Sequence, residues 1–327
     1  MKKSEDLKNV HKPVMIKEVL NEAPRGKNKV VVDCTFGLGG HSFCVIERLE
    51  DSIVVGIDVD EETVDVAFDI ARKKGFVVLG PAHANLHGWK LCDNKKNTLY
   101  LVKRNFSDLN EILDVLEIDE VNLAIFDLGF STFQLMFSRR GFSYCGEEEL
   151  LDQRYDRNCG YKACDLVNSL SRDALALIFR ECGERKYAEA IAKAIASARK
   201  IKPIETNIEL SKIIRKAVRY RSGGKYFKDI GKHPAMRCFL ALRIIVNNEI
   251  LSLSTALPQA LEHLVAGSGG KLIVITFNSL EKQAVLNFLK NHEDAELLYE
   301  KKPSLREVAE NPSSRSAVMY VIGKRDV

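Results

Sequence analysis

Much that marks membrane, secreted or metal-built proteins is missing from this chain. No apolar run approaches the ~18 residues that a membrane span needs. Residues 1–14, MKKSEDLKNVHKPV, hold no apolar segment long enough for a secretory signal. The expectation is a soluble protein with no membrane partner. Cysteines occur at 34, 44, 92, 145, 159, 164, 182 and 238, and no pair has CxxC spacing. That pattern argues against a zinc ribbon or a disulfide framework and for free thiols in a reducing compartment, so no metal site is expected. Tryptophan occurs once. One sign of charge does not dominate either: 49 Lys and Arg stand against 45 Asp and Glu, a net +4. A balance this mild is not evidence for nucleic-acid binding. The remaining composition, 46% hydrophobic and 29% charged over 327 residues, suits one large or two smaller globular domains.

Against these absences, one junction stands out. Val30-Val31-Val32 runs directly into Asp33-Cys34-Thr35-Phe36-Gly37-Leu38-Gly39-Gly40-His41. A β-branched run that ends in a carboxylate and a glycine-rich turn is how a strand hands over to a cofactor loop. The same pattern also fits a mere tight turn. A second apolar run, Ile53 to Ile57, ends at Asp58, with Asp60 two residues on. An acidic residue about 20 positions beyond the glycines can accept both hydroxyls of a ribose. Asp60 suits the alternative role of capping the helix that starts near Glu61, which leaves Asp58 for the ribose. The loop carries no phosphate-binding lysine motif, and Asp33 would repel a pyrophosphate. A nucleoside without phosphates, such as S-adenosylmethionine, fits better than NAD or ATP.

The rest of the chain reads as alternating strands and helices with one long interruption. A crossover helix is expected over 61–74, strands over 99–102 and 121–126, and a helix over 108–116 capped by Ser107. Residues 75–98, with Gly80-Pro81 and Trp89, read as an irregular loop or insertion. From 165 to 219 the pattern is helical throughout. Helices over 234–248 and 251–265 follow, then a strand over 271–277, a helix over 280–290 and strands near 295–299 and 316–322. This is an α/β chain with a seven-stranded, mostly parallel, Rossmann-like sheet. Its domains are expected to be 1–137 and 236–327, which form the sheet, and 138–235, an inserted helical subdomain. Seven basic residues lie between Arg215 and Lys232, interleaved with Tyr220, Tyr226 and Phe227. They form either a phosphate- and base-binding segment, with Arg219, Arg221 and Lys225 as candidates, or a solvated basic loop.

Several segments together resemble a known family. They are HKPVMIKEVL (11–20), DCTFGLGGHS (33–42), GIDVD (56–60), NFSDL (105–109), FDLGFSTFQL (126–135), RRGFSY (139–144), LDQRYD (151–156), GERKYAEAIAKAI (183–195), HPAMRCFLALRIIVNNE (233–249), ITFNSLEKQ (275–283) and NPSSRSAVMYV (311–321). In this order they resemble the family that methylates the exocyclic N4 of a decoding-centre cytidine in small-subunit ribosomal RNA (the RsmH, or MraW, family). The resemblance implies a class I methyltransferase that uses S-adenosylmethionine. Carried onto matching positions, it implies that Gly39, Gly40 and His41 lie under the methionine and ribose moieties. Asp58 would bind the ribose, Phe106 would contact the adenine, and Asp127 and Gln134 would hold the far side of the cofactor. The substrate would be small-subunit rRNA or an assembling small subunit. A homodimer, or a heterodimer with another assembly factor, stays open. The compartment would be the cytoplasm of a bacterium, or a mitochondrion or plastid for a eukaryotic member.

The chain departs from the family pattern at Met136, where an aspartate is usual, and at Gln153 and Tyr155, where methionines are usual. It also departs at Asn278, Lys282 and Gln283, which replace histidine, aspartate and arginine. These changes raise the alternative of a catalytically weak or inactive relative that serves as an assembly factor. For the active reading, Asp127, Ser131 and Asp152 are the catalytic candidates. Acceptors there would bind the amine protons and turn the nitrogen lone pair toward the methyl group. Phe130, Phe133 or Tyr155 can stack on the splayed base, and Arg139, Arg140 and Arg154 can bind phosphate or the base edge. Each has a simpler competitor: Phe106 as core, His41 as a helix-start residue, Asp152 and Asp156 as partners of Arg154 and Arg157.

Overall fold

The computed structural model describes residues 13–129, 132–158, 160–222 and 233–326. They fall into two compact units. The first combines residues up to Thr132 with Ile250 to the end; the second spans Phe133–Glu249.

The first unit is built on a nine-stranded sheet. Its strands are β1 (Val30–Asp33), β2 (Ile53–Asp58), β3 (Val77–His83), β4 (Leu86–Cys92), β5 (Thr98–Lys103), β6 (Leu123–Asp127), β7 (Lys271–Thr276), β8 (Ala295–Lys301) and β9 (Val318–Lys324). They lie in the order β8-β9-β7-β6-β1-β2-β5-β4-β3. The five central strands pair in parallel, with antiparallel strands at both edges. The central strands read as continuous apolar runs because both faces are covered. Val31, Val54, Leu123, Ile125 and Ile273 point to one core. It also holds side chains of helices α1 (Ile16–Glu22), α2 (Gly40–Ile46) and α3 (Glu61–Lys73). Their neighbours Val32, Val55, Ala124, Phe126 and Leu272 point to the other. That core holds side chains of α4 (Leu109–Val115), the helix Glu249–His263 and the helix Ser279–Asn291.

This sheet has two strands more than the seven expected. The segment 75–98 is not irregular; most of it is the antiparallel hairpin β3–β4 that extends the sheet beyond β5. Its strands escaped notice because most of β3 is solvent-exposed and register shifts around Gly80 and Pro81 break the period of two. The hairpin is anchored by Trp89, which stacks on Phe68 of α3 with ring centroids 4.5 Å apart. Gly88 is required where β4 meets β5, since a Cβ there would lie 1.9 Å from the Leu101 carbonyl oxygen. A second local difference concerns helix α4. Asn105, not Ser107, makes the capping bond, accepting from the Ser107 N–H at 2.9 Å at the head of a 3₁₀ turn, Phe106–Asp108.

The second unit is helical, with α5 (Thr132–Phe137), α6 (Ala163–Ser169), α7 (Arg172–Glu181), α8 (Ala188–Ala198), α9 (Asn207–Ser222) and α10 (Ala235–Val246). Leu175, Phe179, Ile191, Ile195, Leu210 and Ile214 share its core. Helix α10 joins them through Cys238, Phe239 and Leu242, so the compact unit runs from Phe133 to Glu249, beyond the 138–235 read from sequence. Helices α11 (Glu249–His263), α12 (Ser279–Asn291) and α13 (Leu305–Glu310) complete the chain. No single helix among the described residues is long and apolar enough to cross a membrane.

Candidate active site

Strand order reverses at β1: the chain runs outward to β2 and β5 on one side of it and returns to β6 and β7 on the other. In an open α/β sheet the crevice outside the carboxyl ends at such a point is where ligands bind. Here three adjacent parallel strands each end in an aspartate: β1 in Asp33, β2 in Asp58 and β6 in Asp127. Each of the three carboxyls is pushed above the ordinary range by burial. For Asp58 the neighbouring Asp60 charge adds to that effect and the value reaches about 7. Asp127 is pushed to about 6, with His41 opposing the shift. For Asp33, burial raises the carboxyl while the Ser42 hydroxyl opposes the shift by stabilising the ionised form.

The turn after β1 holds this acidic edge together. Ser42 donates to Asp33 Oδ2 at 2.6 Å, and the Thr35 N–H donates to Asp33 Oδ1 at 3.2 Å. The Thr35 hydroxyl accepts from the Asp127 N–H at 2.7 Å. Asp58 accepts two backbone amides, Gly37 N–H on Oδ2 and Asp60 N–H on Oδ1, each at 2.9 Å. A carboxylate offers about four lone-pair sites, so Asp58 keeps acceptor capacity for hydroxyls. Asp60 takes the cap position of α3 without a side-chain capping bond. His41 lies in the first turn of α2, 3.7 Å from Asp127 Oδ2 through Nδ1. Its Nε2 is 2.9 Å from the Val14 carbonyl, which can only accept, so Nε2 carries the proton. Asp127 Oδ1 is buried and has no hydrogen-bond partner among the described residues. Gly39 has φ +77°, and a Cβ on Gly40 would lie 2.6 Å from Pro13 Cγ, so the loop cannot carry side chains there. Phe106 is half-buried, edge-on to Phe126 with centroids 5.6 Å apart. Thus Gly39, Gly40, His41, Asp58, Phe106 and Asp127 all belong to the first unit, at or beside the carboxyl edge of its sheet.

The remaining candidates lie in the second unit or outside the described residues. Gln134 is buried on α5. Asp152 and Arg154 form a fork, Nε to Oδ1 at 2.7 Å and an NH2 to Oδ2 at 3.0 Å. Burial would raise the Asp152 carboxyl, but the hydrogen bonds and charge of Arg154 outweigh it and hold it below the ordinary range. Arg140 is 1% exposed and donates to the carbonyls of Arg154 and Tyr155 at 3.0 and 2.8 Å. It therefore leaves the RNA-binding set: it is buried, and its Nη1 is engaged by backbone carbonyls. Arg139 is exposed at φ +53°, and Arg219 is exposed on α9. Ser131, Phe130, Lys225 and the side chain of Arg221 lie outside the described residues.

The sequence matches the model of the MraW methylase family over residues 8–325. The chain belongs to that family. Proteins named ribosomal RNA small subunit methyltransferase H are similar along nearly their whole length. The Dictyoglomus turgidum protein is 33% identical, covering 98% of this chain and 100% of its own. The Coprothermobacter proteolyticus protein is 37% identical, with 96% of each covered. The Pseudothermotoga lettingae protein is 37% identical over 97% of this chain and 99% of its own. As an MraW methylase the chain is a methyltransferase with S-adenosylmethionine as methyl donor.

The structure gives several departures from the MraW pattern a local reason. Asn278 caps α12, accepting the Leu280 and Glu281 N–H groups at 3.0 Å each, while the Glu281 carboxylate accepts from the Phe277 and Asn278 N–H groups. Gln283 is on the surface, bonded to Asn287 at 2.9 Å. Tyr155 donates its hydroxyl to Glu249 at 3.0 Å and stacks on Phe142. Gln153 is fully buried at φ +60°. Asn247 clamps both: its Oδ1 accepts the Tyr155 N–H at 2.7 Å and its Nδ2 donates to the Gln153 carbonyl at 2.8 Å. Arg243 and Glu249 form a two-pronged pair at 2.7 and 2.9 Å. Sequence reasoning missed Thr35 and Ser42, which organise the acidic edge. The available signal was two hydroxyl residues within the motif that begins at Asp33.

Proposed function

We propose that this methyltransferase transfers a methyl group from S-adenosylmethionine to the exocyclic N4 of a cytidine in small-subunit ribosomal RNA. The substrate class follows from the whole-length relatives, each named for small-subunit rRNA. The single observation that carries the site is the buried Oδ1 of Asp127 at the switch point, unpartnered among the described residues, within an acidic edge that would repel phosphates. That edge fits the cofactor. Asp58 would hold the ribose hydroxyls, the side-chain-free backbone at Gly39 and Gly40 would let the nucleoside approach, and Phe106 would pack on the base. Gln134 would complete the cofactor's contacts from α5.

When bound, the sulfonium supplies an activated methyl group, so the protein's task is alignment and exclusion of water. Asp127, held by Thr35 and faced by His41, would accept an amine proton of the cytosine and direct the nitrogen lone pair. Asp152, with its charge fixed by Arg154, would accept or orient on the target-base side, and Ser131 belongs to the same proposed set. Arg139, Arg154, Arg219, Arg221 and Lys225 would meet phosphates. Bacterial relatives favour a cytoplasmic site of action on assembling small subunits. The second reading, an assembly factor without turnover, draws on Met136, Asn278 and Lys282. It is weakened at Asn278, whose capping bonds explain that residue without loss of chemistry.

The test is transfer of labelled methyl to immature small subunits, with the product nucleoside read by mass spectrometry. N4-methylcytidine, absent with Asp127→Ala, is the expected result. A protein that binds S-adenosylmethionine but labels neither naked rRNA nor particles would leave the assembly reading in its place.

A further inference from the structure

Between α7 and α8 of the helical unit lies an open groove of about 380 Å³, lined by Arg172, Asp173, Lys193, Ala196, Ser197 and Lys200. Asp173 is its single carboxylate and is engaged by Arg172 through two nitrogens, at 2.9 and 2.8 Å. That pair is neutral, so Lys193 and Lys200 set the charge of the groove. Both are exposed, and neither has a hydrogen-bond or ion-pair partner among the described residues. They stand seven positions apart, Lys193 on α8 and Lys200 in the turn that follows it. Between them the groove is lined only by Ala196 and Ser197, which allow a chain to approach closely. Next to Lys200, Ile201 is 91% exposed, an apolar surface that a ribose or base face can cover.

We infer that this groove binds the phosphate backbone of the rRNA, with Lys193 and Lys200 each neutralising one phosphate. Two uncompensated ammonium groups over small side chains suit a polyanion, which lysine contacts as a point charge. This inference rests on the rRNA reading of the substrate. The groove shares no residue with the fork of Asp152 and Arg154 or with the basic segment 215–232. It therefore adds a contact that would set the register of the RNA without reading its sequence.

The experiment measures binding of full-length small-subunit rRNA to the whole protein as a function of salt, for wild type and for K193Q/K200Q. The double substitution K73Q/K290Q, which removes the same charge from exposed positions of the other unit, is the control. Loss of two phosphate contacts should lower the slope of log K against log salt by about 1.5, and affinity about tenfold at 0.15 M salt. S-adenosylmethionine binding should be unchanged, which reports the fold. Wild-type-like RNA affinity in K193Q/K200Q, or a loss no larger than in K73Q/K290Q, would overturn the groove alone. No binding by wild type to naked rRNA or to immature small subunits would overturn the substrate reading and the groove with it.

Discussion

Lowering the pH from 8 to 6 should weaken nucleoside binding about tenfold, through Asp58. Burial and then the Asp60 charge push this carboxyl to about 7, even though the Gly37 and Asp60 amides favour its ionised form. Ribose hydroxyls donate well only to the ionised carboxylate. With a midpoint near 7, about nine-tenths is ionised at pH 8 and about one-tenth at pH 6, which gives the tenfold loss. Asp127, at about 6, is then half ionised and adds at most about twofold. The stability of the free protein should move the other way. An unfolded aspartate titrates near 3.9, so between that value and about 7 the folded state binds the extra proton. Stability contributed by Asp58 is therefore present at the acid end and is lost as pH rises through this window.

Calorimetric titration at pH 6, 7 and 8 and constant ionic strength reads the effect. Adenosine should be run beside S-adenosylmethionine, since it carries the ribose hydroxyls and no group that titrates in this range. Asp58→Ala should bind weakly at every pH, with the dependence flattened. Asp60→Asn removes the like charge, lowers the midpoint and should bind more tightly than wild type at pH 6. Equal wild-type affinity at pH 6 and 8, or an unmoved midpoint in Asp60→Asn, would refute the assignment of Asp58 to the ribose.

Three further outcomes follow from geometry. Gly56→Ala should cost about 1–3 kcal/mol in urea denaturation, because the new Cβ would sit 2.2 Å from the Phe36 ring beneath the cofactor loop; S-adenosylmethionine affinity should fall with it, and an unaffected loop would show as wild-type binding. Asn278→Ala removes the acceptor for two helix-start amides and should cost about 1 kcal/mol; Asn278→Ser should recover part of it, and equal stability of all three would remove the capping explanation. Arg154→Ala strands Asp152 at 15% side-chain exposure and should cost about 3 kcal/mol at pH 7. Because Asp152 is held below its ordinary range, that cost should shrink as pH falls below about 4, which acid titration of the denaturation midpoint measures.

The central strands were legible because burial on both faces writes them as unbroken β-branched runs, and their terminal aspartates were legible with them. The hairpin β3–β4 was not, since a solvated edge carries no apolar alternation and its anchor, Trp89 on Phe68, is a tertiary contact. The site was legible where one motif holds several of its members, as in the segment from Asp33 to Ser42. It was illegible where distant segments meet. Nothing in the spacing of Arg140, Arg154 and Asn247 announces that two of them fix the backbone around the third. Arg140 looked like a phosphate ligand because arginines usually are exposed; only the fold shows that it is buried, with its Nη1 on the Arg154 and Tyr155 carbonyls.

The acidic edge also has a consequence for the order of binding events. Three carboxyls raised by burial at adjacent strand ends are poorly compensated by one histidine and a few dipoles. A cation placed among them would relieve that strain. The methyl donor carries a sulfonium, and its demethylated product carries a neutral sulfur. An arrangement built from Asp33, Asp58 and Asp127 should therefore hold donor in preference to product, through long-range charge as well as contact. The same preference stabilises the ground state more than a transition state in which the positive charge is leaving the sulfur, and so opposes the chemical step. The edge would then serve donor capture and product exchange, and acceleration of the transfer itself would have to come from other groups.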